Sequence, residues 1–146
     1  MSIPWSRDAR RVLVDSSAYY ASINRKAELH KQVLETFAHL GSRRRQLFTT
    51  NFIVAETHAL TLNRLGRDVA ARMLGWIDDS ATTIIRVSTA DERRAREIIF
   101  THDDKDYSLT DATSFAVMER LRISTAFSFD RHFSQYGFAV LGPDEP

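Results

Sequence analysis

No cysteine occurs in the 146 residues, and that absence removes disulfides, cysteine-ligated zinc and thiol catalysis together. Three prolines and five glycines are too few for a flexible or Pro-rich linker, and no low-complexity tract takes their place. Long apolar runs are missing as well, and the opening MSIPWSRDARR has no hydrophobic segment followed by a cleavage site. The expectation is a soluble, cytoplasmic protein without a membrane segment. Nor is there an internal repeat at a solenoid period. Lysine is scarce, three residues against seventeen arginines, although the formal net charge is only +1. The arginines bunch at Arg10-Arg11, Arg43-Arg44-Arg45 and Arg93-Arg94-Arg96. Arginine is the better bidentate ligand for phosphate, but a solvated surface accounts for such clusters equally well, so they are a weak sign of nucleic acid.

What remains is ordinary globular material: 43% hydrophobic and 27% charged residues argue against disorder, and the length suits one domain, residues 1–146, with a sizeable core. Short runs rich in β-branched residues alternate with segments of helical period. RVLVD (11–15), QLFTT (46–50), TTIIRVS (82–88), TAFSFD (125–130) and FAVL (138–141) read as strands. Between them, helices are predicted from residue 16, over 28–42 with a stop at Gly41, from Asn51 to Gly66, after Gly66, from a Thr89…Glu92 capping box to about 102, and from a Ser108…Asp111 box. RHFSQYG supplies a short helical turn before the last strand. Such alternation predicts an α/β fold, a three-layer α/β/α sandwich around a mostly parallel sheet. Right-handed crossovers then bring the carboxyl ends of the strands to one edge, where ligands bind.

Four acids stand out by position. Asp15 closes the first strand and Asp130 the fourth, each directly before helical sequence; both also suit helix caps. Asp111 falls in the first turn of its helix, as the acidic arm of a capping box. Glu56 is the odd one: at 3.6 residues per turn it shares a stripe with Phe52, Ile53, Ala59, Leu60 and Asn63, so a carboxylate is expected amid an apolar face. A salt bridge to an arginine is one answer, and a metal is the other. Four carboxylates in one cleft repel unless cations are present. An all-oxygen, cysteine-free set is what Mg²⁺ or Mn²⁺ takes, and paired ions of that kind serve phosphodiester hydrolysis, one activating water and the other steadying the leaving oxygen.

At this point the chain resembles the PIN-domain ribonucleases, in particular the VapC-type toxins of bacterial toxin–antitoxin systems. The resemblance runs through VLVDSSAYYA, TTNFIVAETHAL, KDYSLTDATSFAVMERLRI and TAFSFDRHFSQYGFAVL, in the family's order and over nearly the whole length. It implies a PIN-like fold and a metal-dependent endoribonuclease whose quartet is filled here by Asp15, Glu56, Asp111 and Asp130. These would bind one or two Mg²⁺ or Mn²⁺ ions, Asp15 and Asp111 most directly, with Ser16 or Ser17 supporting. It further implies an RNA substrate, a homodimer and a cognate antitoxin protein.

Two rivals are disfavoured by sequence. A phosphoaspartyl phosphatase needs a second Asp two residues after the first, and that position is Ser17; a receiver domain needs an acceptor Asp that TTIIRVS lacks. A catalytically silent PIN-like module binding RNA or protein is the serious alternative, and it gives no use for four carboxylates facing phosphate. His58 and His132 could touch substrate, but neither has a two-histidine zinc spacing. Asp103, Asp104 and Asp106 read as a solvated loop, with Asp106 able to extend the metal site and Lys105 to reach a phosphate. Tyr19, Tyr20, Phe52, Trp76 and Phe129 are most economically core or dimer-interface residues, any exposed one being able to stack on a base.

Overall fold

Val12, Leu13 and Val14 are completely buried, as consecutive residues of a strand are when both faces of its sheet are covered. This strand, β1 (Arg11–Val14), is the middle of a five-stranded sheet in a computed structural model that describes residues 10–141. The remaining elements are α1 (Ser16–Ile23), α2 (His30–Ser42), β2 (Gln46–Thr50), α3 (Asn51–Leu65), α4 (Arg67–Asp79), β3 (Thr83–Ile85), α5 (Thr89–Thr101), α6 (Leu109–Leu121), β4 (Thr125–Phe127), α7 (His132–Tyr136) and β5 (Ala139–Leu141). The strand order is β3-β2-β1-β4-β5 and every pairing is parallel.

From β1 the chain steps outward to β2 and β3, then returns through α5 and α6 to β4 and β5 on the other side. Right-handed crossovers place α1 to α4 on one face and α5 to α7 on the other. The packing agrees: α1 meets α2 and α3, α3 meets α4, and α6 meets α5 and α7. Each face has its own aromatic cluster. Tyr19, Phe37, Trp76 and Phe127 interlock on the first, and Tyr107, Phe115, Phe133, Tyr136 and Phe138 on the second. The chain changes direction between β1 and β4, so the crevice beyond their carboxyl ends is the ligand position of an open parallel sheet.

Helix α6 begins with the predicted Ser108/Asp111 capping box, but it is no amphipathic surface helix: every residue from Asp111 to Met118 is buried. At its far end Arg11 donates to the carbonyls of Leu121 and Arg122 at 2.8 and 2.7 Å, satisfying acceptors a helix end leaves open.

Three expectations need adjustment. The box on α5 is Ser88/Asp91, one residue earlier than Thr89/Glu92, because Asp91 is also held by Arg120 through two bonds of 2.9 Å. Helix α2 runs through Gly41 and closes in a Schellman turn, with Arg44 N–H bonded to the Gly41 carbonyl and Arg45 N–H to that of Leu40, both at 3.0 Å. The buried line of α3 is Ile53, Thr57 and Thr61, not the stripe through Glu56. Each threonine hydroxyl donates to the carbonyl four residues back at 2.7 Å, so threonine serves as a core residue that a hydropathy reading passes over.

Candidate metal centre

Asp15 follows β1 and is 3% exposed. Its Oδ2 accepts from the hydroxyls of Ser17 and Ser128, both at 2.9 Å, and from the Ser17 amide at 3.4 Å, so the carboxylate caps α1 and faces the crevice in a fixed orientation. Both hydroxyls are fixed in turn. Ser17 Oγ accepts the Phe129 amide and Ser128 Oγ the Asp130 amide, each at 2.9 Å. The two serines thus tie the end of β1 to the loop after β4, and Asp15 to the backbone of Asp130. Burial pushes the Asp15 carboxyl above its ordinary range; the serine hydroxyls pull against that and the charge of Asp111 adds to it.

Asp111 is the third residue of α6, where its Oδ2 accepts the Ser108 amide at 3.1 Å. The same oxygen lies 2.8 Å from Nδ1 of His132, which is also 3.2 Å from Oδ1 of Asp130. Asp130 Oδ1 takes the His132 amide at 2.9 Å as well. One imidazole therefore holds two carboxylates, and its ring lies edge-on to Tyr107, centroids 5.3 Å apart. Asp111 is raised by burial and next by the charge of Asp130, with the Ser108 amide and His132 opposing. Among the described residues, Asp111, Asp130 and His132 offer three ligand atoms within 4.8 Å of one another.

Glu56 reaches the same crevice from the second turn of α3. It is exposed as a residue, which corrects the expectation of a carboxylate inside an apolar stripe, yet its electrostatics remain those of the cleft. Partial desolvation first, then the charges of Asp15 and Asp111, push its carboxyl up to about 7 against the pull of Ser16, with Asp130 adding a smaller push. The structure thus gathers all four acids, although Asp15 and Glu56 lie outside the tight group around His132. Three of them resist their own ionisation, the electrostatic condition of a pocket suited to a cation. The donors are carboxylate oxygens with one imidazole, a set that fits a hard divalent ion.

The resemblance implies hydroxyl support from Ser16 or Ser17; in the structure Ser17 serves Asp15 and Ser16 acts on Glu56. Ser128 has no signal in the sequence beyond being a serine two residues before the acid, and His132 has none in its spacing. Lys105 pairs with Asp104 at 3.3 Å, and Asp103 and Asp106 are exposed loop residues. His58 lies elsewhere, in a groove with Asn51, Asp78 and Arg86. Tyr19 is core, while Trp76 packs on it and stays 42% exposed.

Comparison with known proteins accords with this geometry. The PIN domain family model matches residues 12–139. The chain is 34% identical over 136 residues to the 23S rRNA-specific endonuclease VapC20 of Mycobacterium tuberculosis, covering 91% of this chain and 99% of that protein. Ribonuclease VapC26 of the same organism is 26% identical over 124 residues, with 84% and 90% covered. The crystal structure of VapC20, described as a Sarcin-Ricin loop cleaving toxin, superposes with a TM-score of 0.81 at 30% identity over 88% of this chain and 96% of that one. FitAcB from Neisseria gonorrhoeae shares the fold at a TM-score of 0.66 and 16% identity, over 90% and 97% of the two chains. The chain belongs to the PIN-domain family, among its VapC-type members.

Proposed function

We propose that this protein is an endoribonuclease, dependent on Mg²⁺ or Mn²⁺, that hydrolyses RNA phosphodiester bonds as the toxin of a toxin–antitoxin pair. In this reading residues 1–146 form one nuclease domain that acts in the cytoplasm as a homodimer and is silenced by a cognate antitoxin. Likeness to a 23S rRNA-specific endonuclease puts ribosomal RNA first among the substrates to test.

The observation that carries the reading is the convergence of four carboxylates, in three of which, Asp15, Glu56 and Asp111, burial and the charges of neighbouring acids disfavour ionisation. Asp15 and Asp111 would hold the cation most directly, with Glu56 and Asp130 completing the set. A bound divalent ion supplies Lewis acidity toward the scissile phosphate and lowers the pKa of water. The chain's own part is orientation. Ser17 and Ser128 fix Asp15, while His132 fixes Asp111 against Asp130. The hydroxyls of Ser17 and Ser128 serve to hold Asp15, each donating to it and accepting a backbone amide; with water as the attacking group no side-chain nucleophile is needed. A silent binding module has no need of such an arrangement, since uncompensated carboxylates repel a phosphate backbone.

Asp15→Asn and Asp111→Asn test it. Each should lower RNA cleavage roughly a hundredfold or more, the consequence of losing several kcal/mol of charge stabilisation, and chelation should abolish cleavage by the parent. Cleavage by either variant at the parent rate would overturn the assignment. RNA binding that survives chelation, with no cleavage in added Mn²⁺, would favour the silent module.

A further inference from the structure

The only three consecutive arginines of the chain, Arg43-Arg44-Arg45, lie at the opposite end of the sheet from the acids. They form the Schellman turn that ends α2, and Arg44 sits at its left-handed position with φ 53°. Glycine or asparagine is the usual residue there, because an L side chain is strained in that conformation. The negative end of the α2 dipole favours a cation nearby. It gives no reason for a guanidinium at the strained residue, nor for three in succession.

The turn opens onto a groove of about 740 Å³ lined by Arg44, Arg45, Gln46, Thr82 and Thr83 among others, with no carboxylate in the lining. Arg43 and Arg44 are exposed, and among the described residues no ion pair involves any of the three. Arg45 carries a buried Nε–H that lacks an acceptor among the described residues. Outward donors, an unanswered positive charge and the absence of acids are the chemistry of a phosphodiester backbone site.

We propose that this groove is a second footing for the sugar–phosphate backbone of the RNA substrate, remote from the acidic cleft. The inference rests on the nuclease reading. Groove and cleft lie at the two ends of the strands, about 15 Å apart along the five residues of β2 at roughly 3.3 Å per residue. A strand of two or three nucleotides seated in the cleft is too short to reach the groove, whereas a folded RNA spans both. The footing therefore selects for size and shape of RNA and leaves the reacting bond alone.

The test pairs Arg45→Gln with Arg44→Asn, the two arginines that line the groove, asparagine being tolerated in the left-handed conformation. Cleavage of a short single-stranded oligonucleotide by this double variant should match the parent. Binding of a labelled hairpin RNA is then followed against salt, both proteins carrying Asp15→Asn so that the probe survives. The double variant should bind several-fold more weakly, and its slope of log K on log salt should be shallower by about 1.5, at 0.7 to 0.9 per lost phosphate contact. Unchanged affinity and slope would overturn the footing. So would loss of binding to a poly-glutamate peptide with the RNA slope intact, which would assign the groove to an acidic protein. The slope comparison decides the matter even where the parent fails to cleave the oligonucleotide; failure of the parent to cleave ribosomal RNA in added Mn²⁺ would instead overturn the nuclease reading.

Discussion

His132 is the residue whose role is least visible in the sequence and clearest in space. A histidine two positions after an acid suggests nothing by its spacing; its meaning depends on β4 ending at Phe127, which leaves a bend that turns residue 132 back toward Asp111. Asp15, Asp111 and Asp130 were legible because an acid beside a strand end or helix start has a position that sequence can state. Ser128 was not, because its partner Asp15 lies 113 positions away. Since one imidazole holds two carboxylates, His132→Ala should weaken Mn²⁺ binding about 10- to 100-fold, as loss of a group orienting metal ligands does. His132→Asn, which can still donate, should retain more of it; titration calorimetry decides, and equal affinity in the alanine variant would return His132 to a packing role. Glu56→Gln has a double signature. It should weaken Mn²⁺ binding while leaving the metal-free protein as heat-stable as the parent or more so, because the charge removed is one that Asp15 and Asp111 oppose. Metal affinity equal to the parent's would leave Glu56 outside the site.

At the scale of elements, strand and helix order could be read from period and β-branched content, while faces and ends could not. Helix α3 shows why. Its seam is threonine, and only carbonyls four residues back make those hydroxyls acceptable inside. Helix α6 shows the converse: α5 and α7 cover it, so every residue from Asp111 to Met118 is buried, polar ones included. The connection between α5 and α6 gives a measurable consequence. Burial would raise Asp91, but the bidentate Arg120 and the Ser88 amide and hydroxyl outweigh it and hold the carboxyl below its ordinary range. A carboxyl lowered on folding adds stability that is fully present above the unfolded value, near 3.8, and is lost as pH falls through the folded one. Asp91→Ala removes a helix cap and an ion pair whose arginine is 43% exposed, so the cost should be about 2 kcal/mol and not the full penalty of a buried pair. Denaturant unfolding should show that loss at pH 7 and a smaller one near pH 3. A constant difference across that range would mean that the carboxylate contributes only through its shape.

For the molecule as a whole, the same parallel sheet that made the fold legible creates an electrostatic liability at one end. Strands that all run one way deliver Asp15 and Asp130 to one edge, and the starts of α3 and α6 bring Glu56 and Asp111 to it. Hydrophobic burial on both faces of β1 holds them there against their repulsion. A ligand that binds the native arrangement and not the unfolded chain stabilises it by mass action, by about 2.7 kcal/mol at a hundred times its dissociation constant. For a chain of this size that amounts to a rise in Tm of roughly 5 to 11 °C. Mn²⁺ should therefore raise the Tm of the parent by that order while K⁺ at equal ionic strength does not. In Asp15→Asn and Asp111→Asn the metal-free Tm should start higher, as repulsion is relieved, and respond little to Mn²⁺. A metal-induced rise of the same size in those variants would place the ion elsewhere on the surface and separate the acidic cleft from metal binding altogether.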